Sequence, residues 1–252
     1  MEKISENLSA RTLFHFTTKL DYLIQILKSN FRPRYCLEDT SWATSDKISK
    51  IEMAYPMVCF CDIPLSKIKK HLTTYGHYGI GLKKDWGFKK SLTPIIYSRK
   101  NSKTSKIIDD LIDWYSQNGE PSDLKYIISD IIMYMKPYYG KMWRNSEYKK
   151  TKFYDEREWR WIPEINRPDL KMHLEYDEYI DSELRESDNR KIGKYYTLVF
   201  KPSDVKYLII NDDSEINTII NKLERIKGQF SQETIKKLTS RILTTEQIKY
   251  DF

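Results

Sequence analysis

Two short segments, far apart in the chain, carry the residue types best suited to chemistry. In the first, His15 lies in a short apolar run and is followed by Thr17. In the second, Glu156, Glu158 and Arg160 alternate with other residues. A His can hydrogen-bond a hydroxyl, and a carboxylate can stabilise a developing positive charge or activate a nucleophile. Together these residues suggest a site that holds NAD and polarises its glycosidic bond.

The second segment has the pattern of a strand over 154–161. Alternate side chains of a strand share a face, so both Glu residues and Arg160 point one way and Trp159 points the other. The Trp face is the natural core face, and the acidic face then lines a cleft. Two carboxylates on one face raise the pKa of one of them unless a neighbouring Arg offsets the charge. The same pattern also fits an exposed edge strand with charge-paired side chains.

The first segment predicts a strand over 13–16 that leads directly into a helix. Thr17 or Thr18 can cap that helix, whose apolar face has the spacing i, i+3, i+4, i+7 at Leu20, Leu23, Ile24 and Leu27. The N-terminus of a helix can hold a pyrophosphate through its free backbone N–H groups. The ring of His15 could then bond a ribose hydroxyl, with the Thr17 hydroxyl nearby. The alternative is a His that caps the helix or is satisfied in the core.

The one Gly-rich patch, over 74–82, includes two aromatic residues that could stack on a nicotinamide ring. These are Tyr75 and Tyr78. Glycines in the predicted strand over 79–82 indicate close approach of a backbone or a ligand. With 19 Tyr in the chain, ordinary core packing is the alternative.

A metal site is not predicted. Cys59 and Cys61, with His71 and His77 downstream, match no strong zinc spacing, and strand positions two apart are more simply core. The three Cys of the chain argue against a disulfide framework. The chain lacks both the GxGxxG and the P-loop pattern, and it holds only 8 Gly.

Composition favours a soluble cytoplasmic protein. The N-terminal residues lack a signal pattern, and no apolar run approaches the ~20 residues of a membrane span, so no membrane association is expected. The net charge of +7 is compatible with an anionic partner such as nucleic acid or NAD, or with a solvated Lys-rich surface.

The mixture of strands and helices, without regular alternation, predicts an α+β fold with a mixed or split β-sheet and flanking helices. The 252 residues are predicted to form a single domain, with a helical insertion at about 103–150 and a C-terminal helical segment at about 214–252. Residues 36–54 are predicted to be a loop beside the site, and 195–200 and 205–210 to be strands.

The residues quoted above, with the segments 55–65 and 155–160, resemble the AbiGi family of bacterial abortive-infection proteins. The resemblance is strongest over 13–98 and 153–210. It implies a role in phage defence and a partner protein, encoded by a neighbouring gene, that is a toxin or another defence component.

The opening His-Phe-Thr and the Glu-x-Glu motif also resemble DarT-like ADP-ribosyltransferases. This second resemblance implies an ADP-ribosyltransferase-like fold with NAD as substrate and no metal. Glu158 would be the catalytic carboxylate, with Glu156 as its rival. His15 would contact the ribose, and Tyr75 or Tyr78 would flank nicotinamide. We also assign Thr17 and Arg160 to NAD binding.

Two hypotheses from different classes follow. In the first, the chain is a phage-defence enzyme that transfers ADP-ribose from NAD to a macromolecule, with nucleic acid as one possible acceptor, or that cleaves NAD. In the second, it is a catalytically silent antitoxin that binds and neutralises a partner toxin. A nucleic-acid binder that uses the +7 charge is a third interpretation, which no helix-turn-helix, zinc-finger or RNP signature supports.

Overall fold

A computed structural model describes residues 9–40, 42–43, 52–118, 122–144, 147–226 and 230–251. These residues form two compact units. Unit 1 comprises the residues up to 32, 59–92 and those from 197 onward, and unit 2 comprises 33–58 and 93–196. The predicted α+β class, with a mixed sheet and flanking helices, is confirmed. The ADP-ribosyltransferase-like fold and the single domain stay predictions.

The strands, in chain order, are β1 (Thr12–Thr17), β2 (Arg34–Asp39), β3 (Glu52–Cys61), β4 (Tyr78–Lys83), β5 (Thr93–Pro94), β6 (Ile96–Ser98), β7 (Met135–Pro137), β8 (Tyr139–Arg144), β9 (Glu147–Lys152), β10 (Glu158–Trp161), β11 (Leu174–Glu175), β12 (Val205–Ile210) and β13 (Ile242–Thr244). The α-helices are α1 (Leu20–Ser29), α2 (Lys69–Tyr75), α3 (Lys84–Lys89), α4 (Lys103–Asn118), α5 (Ser122–Met133), α6 (Tyr176–Ile180), α7 (Ser182–Tyr195), α8 (Ile216–Ile226), α9 (Gln232–Thr239) and α10 (Thr245–Asp251). None of the helices in the described ranges is long and apolar enough to cross a membrane.

Unit 1 is built on a mixed sheet with the order β13-β12-β4-β1, followed by the last residues of β3. Strand β12 is parallel to β13, whereas β4 is antiparallel to both β12 and β1. Phe14 of β1 pairs in register with Cys61 of β3. One face of this sheet buries a core against α2 and α10, which includes Phe14, Cys61, Leu72, Ile209 and Ile248. The alternation of β1 therefore points Phe14 into this core and His15 to the opposite face.

Glycines of β4 let the aromatic rings of β1 lie flat against the backbone, as the Gly-rich patch predicted. A Cβ on Gly79 would lie 2.8 Å from the ring of Phe16, and a Cβ on Gly81 would lie 2.8 Å from the ring of Phe14. Gly76, which ends α2, has a φ of +116° and would place a Cβ 2.2 Å from the carbonyl oxygen of Thr17. A side chain at Gly79 or Gly81 would force the facing Phe ring to move, and one at Gly76 would force the Thr17 backbone to move.

In unit 2, strand β3 has two antiparallel neighbours, β2 and β11. Leu37 of β2 and Leu174 of β11 both pair with Ala54 of β3. Helix α7 packs on β2, where the side-chain oxygen of Asn189 accepts a 2.8 Å hydrogen bond from the backbone N–H of Tyr35. Strand β10 lies between β3 and β5 and is antiparallel to β5. Strands β6 and β7 pair in parallel, and β8 and β9 pair antiparallel.

Several predicted elements differ from the structure. Residues 36–39 and 52–54 of the predicted loop are strand, because β2 pairs with β3 and the alternating Tyr35 and Leu37 pack in one apolar cluster with Ala54. Positions 41 and 44–51 lie outside the described residues. The helical part of the predicted insertion ends at Met133, and the strands β7, β8 and β9 follow within its predicted range.

Two further differences arise at helix ends. Helix α1 has Lys19 at its N-cap without a side-chain cap, so neither Thr17 nor Thr18 caps it. The predicted strand over 195–200 is absent, because α7 continues to Tyr195 and only Leu198 forms an isolated bridge, with Phe31.

The contact at Gly76 gives a stability prediction. Gly76→Ala should lower the free energy of unfolding by about 1–3 kcal/mol, because the new Cβ meets the Thr17 backbone and the left-handed φ disfavours it. Urea unfolding of the purified variant measures the change. Thr73→Ala, on the exposed side of the same helix, is the control and should change stability by no more than about 0.5 kcal/mol. An unchanged urea midpoint for Gly76→Ala would contradict the close contact.

Candidate functional site

Five charged side chains of unit 2 form one buried group, which we call the ion cluster. Its members are Glu38, Lys136, Glu156, Glu158 and Arg160. Every one of these side chains is 13% exposed or less, and Arg160 is fully buried. Charged groups are rarely buried to this extent unless they are paired. The structure therefore brings together the acidic motif and the Arg that the sequence singled out.

The local backbone differs from the predicted strand. Residues Phe153–Glu156 form a 3-10 turn, Arg157 adopts a left-handed φ of 44°, and the strand begins only at Glu158. The period-two pattern predicted that Glu156 and Glu158 share a strand face. This prediction is wrong, because Glu156 lies in the turn before the strand. The turn nevertheless returns both carboxylates to the same cation.

That cation is Lys136, which lies on β7. Its Nζ donates to Glu156 Oε2 at 3.1 Å and to Glu158 Oε2 at 3.0 Å, and it lies 4.4 Å from the ring centroid of Phe153. Burial acts to lower the pKa of Lys136, but the carboxylates of Glu158, Glu38 and Glu156 raise it well above its ordinary value. The Lys136 side chain is therefore charged at neutral pH, which offsets the repulsion between Glu156 and Glu158.

Arg160 occupies the other side of Glu158. Its Nε donates to Glu158 Oε1 and one terminal nitrogen donates to Glu38 Oε1, both at 2.7 Å. The other terminal nitrogen donates to the carbonyl oxygen of Met133, also at 2.7 Å. Both oxygens of Glu158 thus accept hydrogen bonds from cations. The expected acidic cleft face is instead buried and ion-paired, and the exposed edge-strand alternative is wrong for the same reason.

Sequence reasoning missed two residues of the cluster and one of its supports. Glu38 lay in the predicted loop, and Lys136 lay in the predicted helical insertion. The missed support is Tyr97, whose hydroxyl accepts a 2.9 Å hydrogen bond from the backbone N–H of Glu158. Burial raises the pKa of Tyr97, so its hydroxyl stays protonated. A Lys between apolar residues, in the run Met135-Lys136-Pro137, was the available signal for a buried cation.

His15 lies in unit 1, in β1, five residues before α1 begins, and so not at the helix N-terminus. Its Nδ1 donates to the carbonyl oxygen of Cys59 at 2.8 Å, and its ring lies 5.2 and 5.6 Å from the ring centroids of Phe31 and Phe60. Burial lowers the pKa of His15, although the bond to Cys59 acts to raise it. The imidazole is therefore neutral at physiological pH and leaves Nε2 as an acceptor. The arrangement fits the alternative interpretation of the sequence, in which the hydrogen bonding of His15 is satisfied within the protein. The His15 side chain is half-buried.

The other predicted NAD contacts also belong to unit 1. Thr17 and Tyr78 are register partners of β1 and β4, so they share the sheet face of His15. The hydroxyl of Tyr78 donates to Glu215 Oε1 at 2.8 Å, and burial, together with this carboxylate, raises the pKa of Tyr78 to about 12. Tyr75 lies at the end of α2, with its ring 5.4 Å from that of His71. The roles assigned to these residues stay predictions.

The absence of a metal site is predicted from the spacing of the Cys and His residues, and it stays a prediction. In the part of the chain that the structure describes, no group of three or more His, Cys, Asp or Glu side chains is placed to hold a metal ion. Cys61 instead lies in the apolar core of unit 1.

Comparison with known proteins identifies the family. Residues 29–211 match the family model described as "Putative abortive phage resistance protein AbiGi, antitoxin". The chain is also 31% identical over 253 residues to "Abortive phage resistance protein AbiGi" of Lactococcus lactis subsp. cremoris, covering 88% of this chain and 99% of that relative. The chain belongs to the AbiGi family. No solved structure matches it.

The matched range divides the candidate residues. It contains all five members of the ion cluster, together with Tyr75 and Tyr78, but it begins after His15 and Thr17. The family assignment confirms the resemblance to AbiGi and the abortive phage resistance that it implies, whereas the resemblance to DarT-like enzymes stays a prediction. The ion cluster therefore lies wholly within the range that matches the AbiGi family model.

Removal of the central cation tests the cluster. Lys136→Met should lower the free energy of unfolding at pH 7 by about 3–5 kcal/mol, because two buried carboxylates lose a shared partner. In the wild type, Lys136 has a raised folded-state pKa, so its contribution is complete below the pKa of an unfolded Lys, about 10.4, and is lost as pH rises through the folded value. Urea unfolding at pH 7 measures the first effect, and urea unfolding from about pH 10.4 upward measures the second.

The free energy of unfolding of Lys136→Met should also depend on pH differently from that of the wild type. Without Lys136, the free energy of unfolding should rise as pH falls toward 5, because protonation relieves the unpaired carboxylates. Lys236→Met, at an exposed position of α9, is the matched control and should resemble the wild type throughout. If both variants unfold alike, the ion cluster does not stabilise unit 2.

Proposed function

We propose that this chain is the antitoxin component of an abortive-infection system and that it acts by binding a partner toxin encoded by a neighbouring gene. The observation that carries this proposal is the match of residues 29–211 to a family model described as an antitoxin. The ion cluster supports it, because both oxygens of Glu158 are held by cations and serve the packing of unit 2. A protein that acts by binding requires no catalytic carboxylate.

Helix α4 offers a surface for such a partner. Its inner side contributes to a cluster with Met135, whereas Ile107 and Trp114 are 50% and 47% exposed. These two residues lie seven positions apart, on the same side of the helix, with the exposed Asp110 between them. Exposed apolar side chains on one helix face favour a protein interface. Charge complementarity then favours a toxin whose matching surface is apolar and carries a basic residue opposite Asp110.

The first test is co-expression of the chain with the product of the neighbouring gene. The two proteins should co-purify, and Trp114→Ala should weaken their association by about tenfold or more without unfolding the chain, because Trp114 is half-exposed. Tyr250→Ala, at an aromatic side chain that is 81% exposed in unit 1, is the control and should leave the association unchanged. Failure of the wild-type proteins to co-purify, or rescue of the cell without association, would contradict an antitoxin that acts by binding.

A second candidate function is transfer of ADP-ribose from NAD, or cleavage of NAD. It is favoured by the neutral His15, whose Nε2 can accept a hydrogen bond from a ribose hydroxyl, and by the hydroxyls of Thr17 and Tyr78 on the same sheet face. The acidic motif belongs to unit 2 and is tested separately; its Glu158 is predicted to stabilise the ribosyl cation, with Glu156 as its rival. Glu158 would first have to exchange the hydrogen bond from Lys136 or Arg160 for one from the substrate.

NAD consumption by the purified protein separates the two functions. The binding function predicts that the wild type consumes no NAD above a buffer control. If NAD is consumed, Glu158→Gln or Glu156→Gln should abolish turnover while the protein still folds, because Gln keeps the shape of Glu but cannot stabilise a cation. Glu233→Gln, at an exposed Glu of α9, controls for the loss of one carboxylate. Equal consumption by all three variants would exclude the acidic motif from catalysis.

A further inference from the structure

The antiparallel ribbon of β8 and β9, in unit 2, concentrates positive charge. Residues 139–152 hold five Lys and Arg residues and one Glu, so this segment has a net charge of +4 in a chain whose total is +7. The side chains of Lys141, Lys149 and Lys150 are exposed. The charge of the chain is therefore unevenly distributed, and this ribbon is a basic surface rather than part of a uniformly solvated Lys-rich surface.

The register of the ribbon places like charges opposite each other. Lys141 is the direct partner of Lys150, and Tyr139 is the direct partner of Lys152. Directly opposed residues of an antiparallel pair share a face, so three Lys side chains and a Tyr lie on one side of the ribbon. Like charges in such a pair destabilise the ribbon. A polyanion lying across this face would remove the repulsion.

Aromatic rings lie among these lysines. Tyr139 is 53% exposed, and Lys150 Nζ lies 5.9 Å from its ring centroid. Tyr138 and Tyr154 stack with their centroids 5.0 Å apart and an interplanar angle of 19°, and Tyr154 is 43% exposed. The Nζ of Lys152 lies 5.4 and 5.6 Å from these two rings and 3.1 Å from Asp155 Oδ1.

We propose that this basic aromatic ribbon, defined by Tyr138, Tyr139, Lys141, Lys150, Lys152 and Tyr154, binds single-stranded nucleic acid. Its lysines would contact phosphates, and its exposed tyrosine rings would stack on unpaired bases. Proteins that bind single strands combine these two features, a basic surface that follows the backbone and aromatic platforms for the bases. Binding of nucleic acid by the ribbon requires neither the partner toxin nor NAD.

The chemistry of the surface distinguishes this ligand from other polyanions. A duplex presents phosphates but keeps its bases stacked on each other, so it leaves Tyr139 without a partner. An acidic protein segment presents carboxylates and no planar bases. Only an unpaired strand uses the lysines and the exposed rings together.

The test is fluorescence anisotropy of the full chain with labelled oligouridylate and oligothymidylate of about 12 nucleotides, at several salt concentrations. We expect the full chain to bind, with an affinity that falls as salt rises. Equal binding of both oligomers indicates recognition of phosphate and base. Preference for one indicates that the 2′-hydroxyl or the 5-methyl group of thymine also contributes; both outcomes support the proposal. No binding to either oligomer at low salt would overturn it.

Variants separate charge from stacking. Lys141→Gln with Lys150→Gln should weaken binding and reduce the salt slope by about 1.4, the value for two lost phosphate contacts on a single strand. Tyr139→Ala should weaken binding about tenfold with an unchanged salt slope, and Tyr139→Phe should restore it, because Phe keeps the ring. Lys222→Gln with Lys236→Gln, at exposed positions of α8 and α9, removes the same charge elsewhere.

Three results would overturn the proposal. The first is an equal loss of affinity in the Lys222 and Lys236 control, which would assign binding to net charge. The second is a duplex of the same length that competes as well as the single strand. The third is competition by polyglutamate at an equal concentration of charge, which would assign the surface to acidic proteins.

Discussion

The fully buried guanidinium of Arg160 is the interaction on which the rest of unit 2 depends. It holds three acceptors from three elements: Glu158 of β10, Glu38 of β2 and the carbonyl oxygen at the end of α5. A planar group with five donors can satisfy several acceptors at once, and a Lys at this position could not reproduce that geometry. The positions of β2, β10 and α5 are thus joined through a single side chain, and a second cation, Lys136, completes the pairing of the carboxylates.

Unit 2 uses positive charge in two contrasting ways. In the ion cluster, cations are buried and satisfied, so their effect is on stability and on the arrangement of the elements that carry them. In the β8–β9 ribbon, Lys141 and Lys150 are exposed and face each other, so their effect is on what the surface attracts. Composition alone cannot distinguish these uses, because a Lys count contains neither burial nor register. The net charge of +7 is accordingly a weak guide to function until each residue is placed.

Much of the fold could be predicted because local patterns were strong. The alternation around His15 defined β1, the glycines near Tyr78 defined β4, and the helical spacing from Leu20 defined α1. The acidic motif was also found, since Glu-x-Glu-x-Arg is visible along the chain. What could not be predicted was its environment, because Glu38 and Lys136 are about 120 and 20 residues away in sequence and meet the motif only through tertiary packing. The 3-10 turn before Glu158 was missed because the alternation of Trp159 and Trp161 was extended back through 155–158, four consecutive charged residues that carry no apolar alternation of their own.

The two units also differ in how many separate stretches of the sequence form them. Unit 1 is assembled from three separate stretches of sequence, and the larger part of unit 2, residues 93–196, is synthesised between the second and the third. On the ribosome, β1 and β4 therefore emerge long before β12, the strand that covers the other side of β4. During that interval the edge of β4 has no intramolecular partner from β12 and is open to pairing with other chains. Contacts so distant in sequence slow folding, so the yield of this protein in the cell should depend on chaperones and on the rate of translation through unit 2.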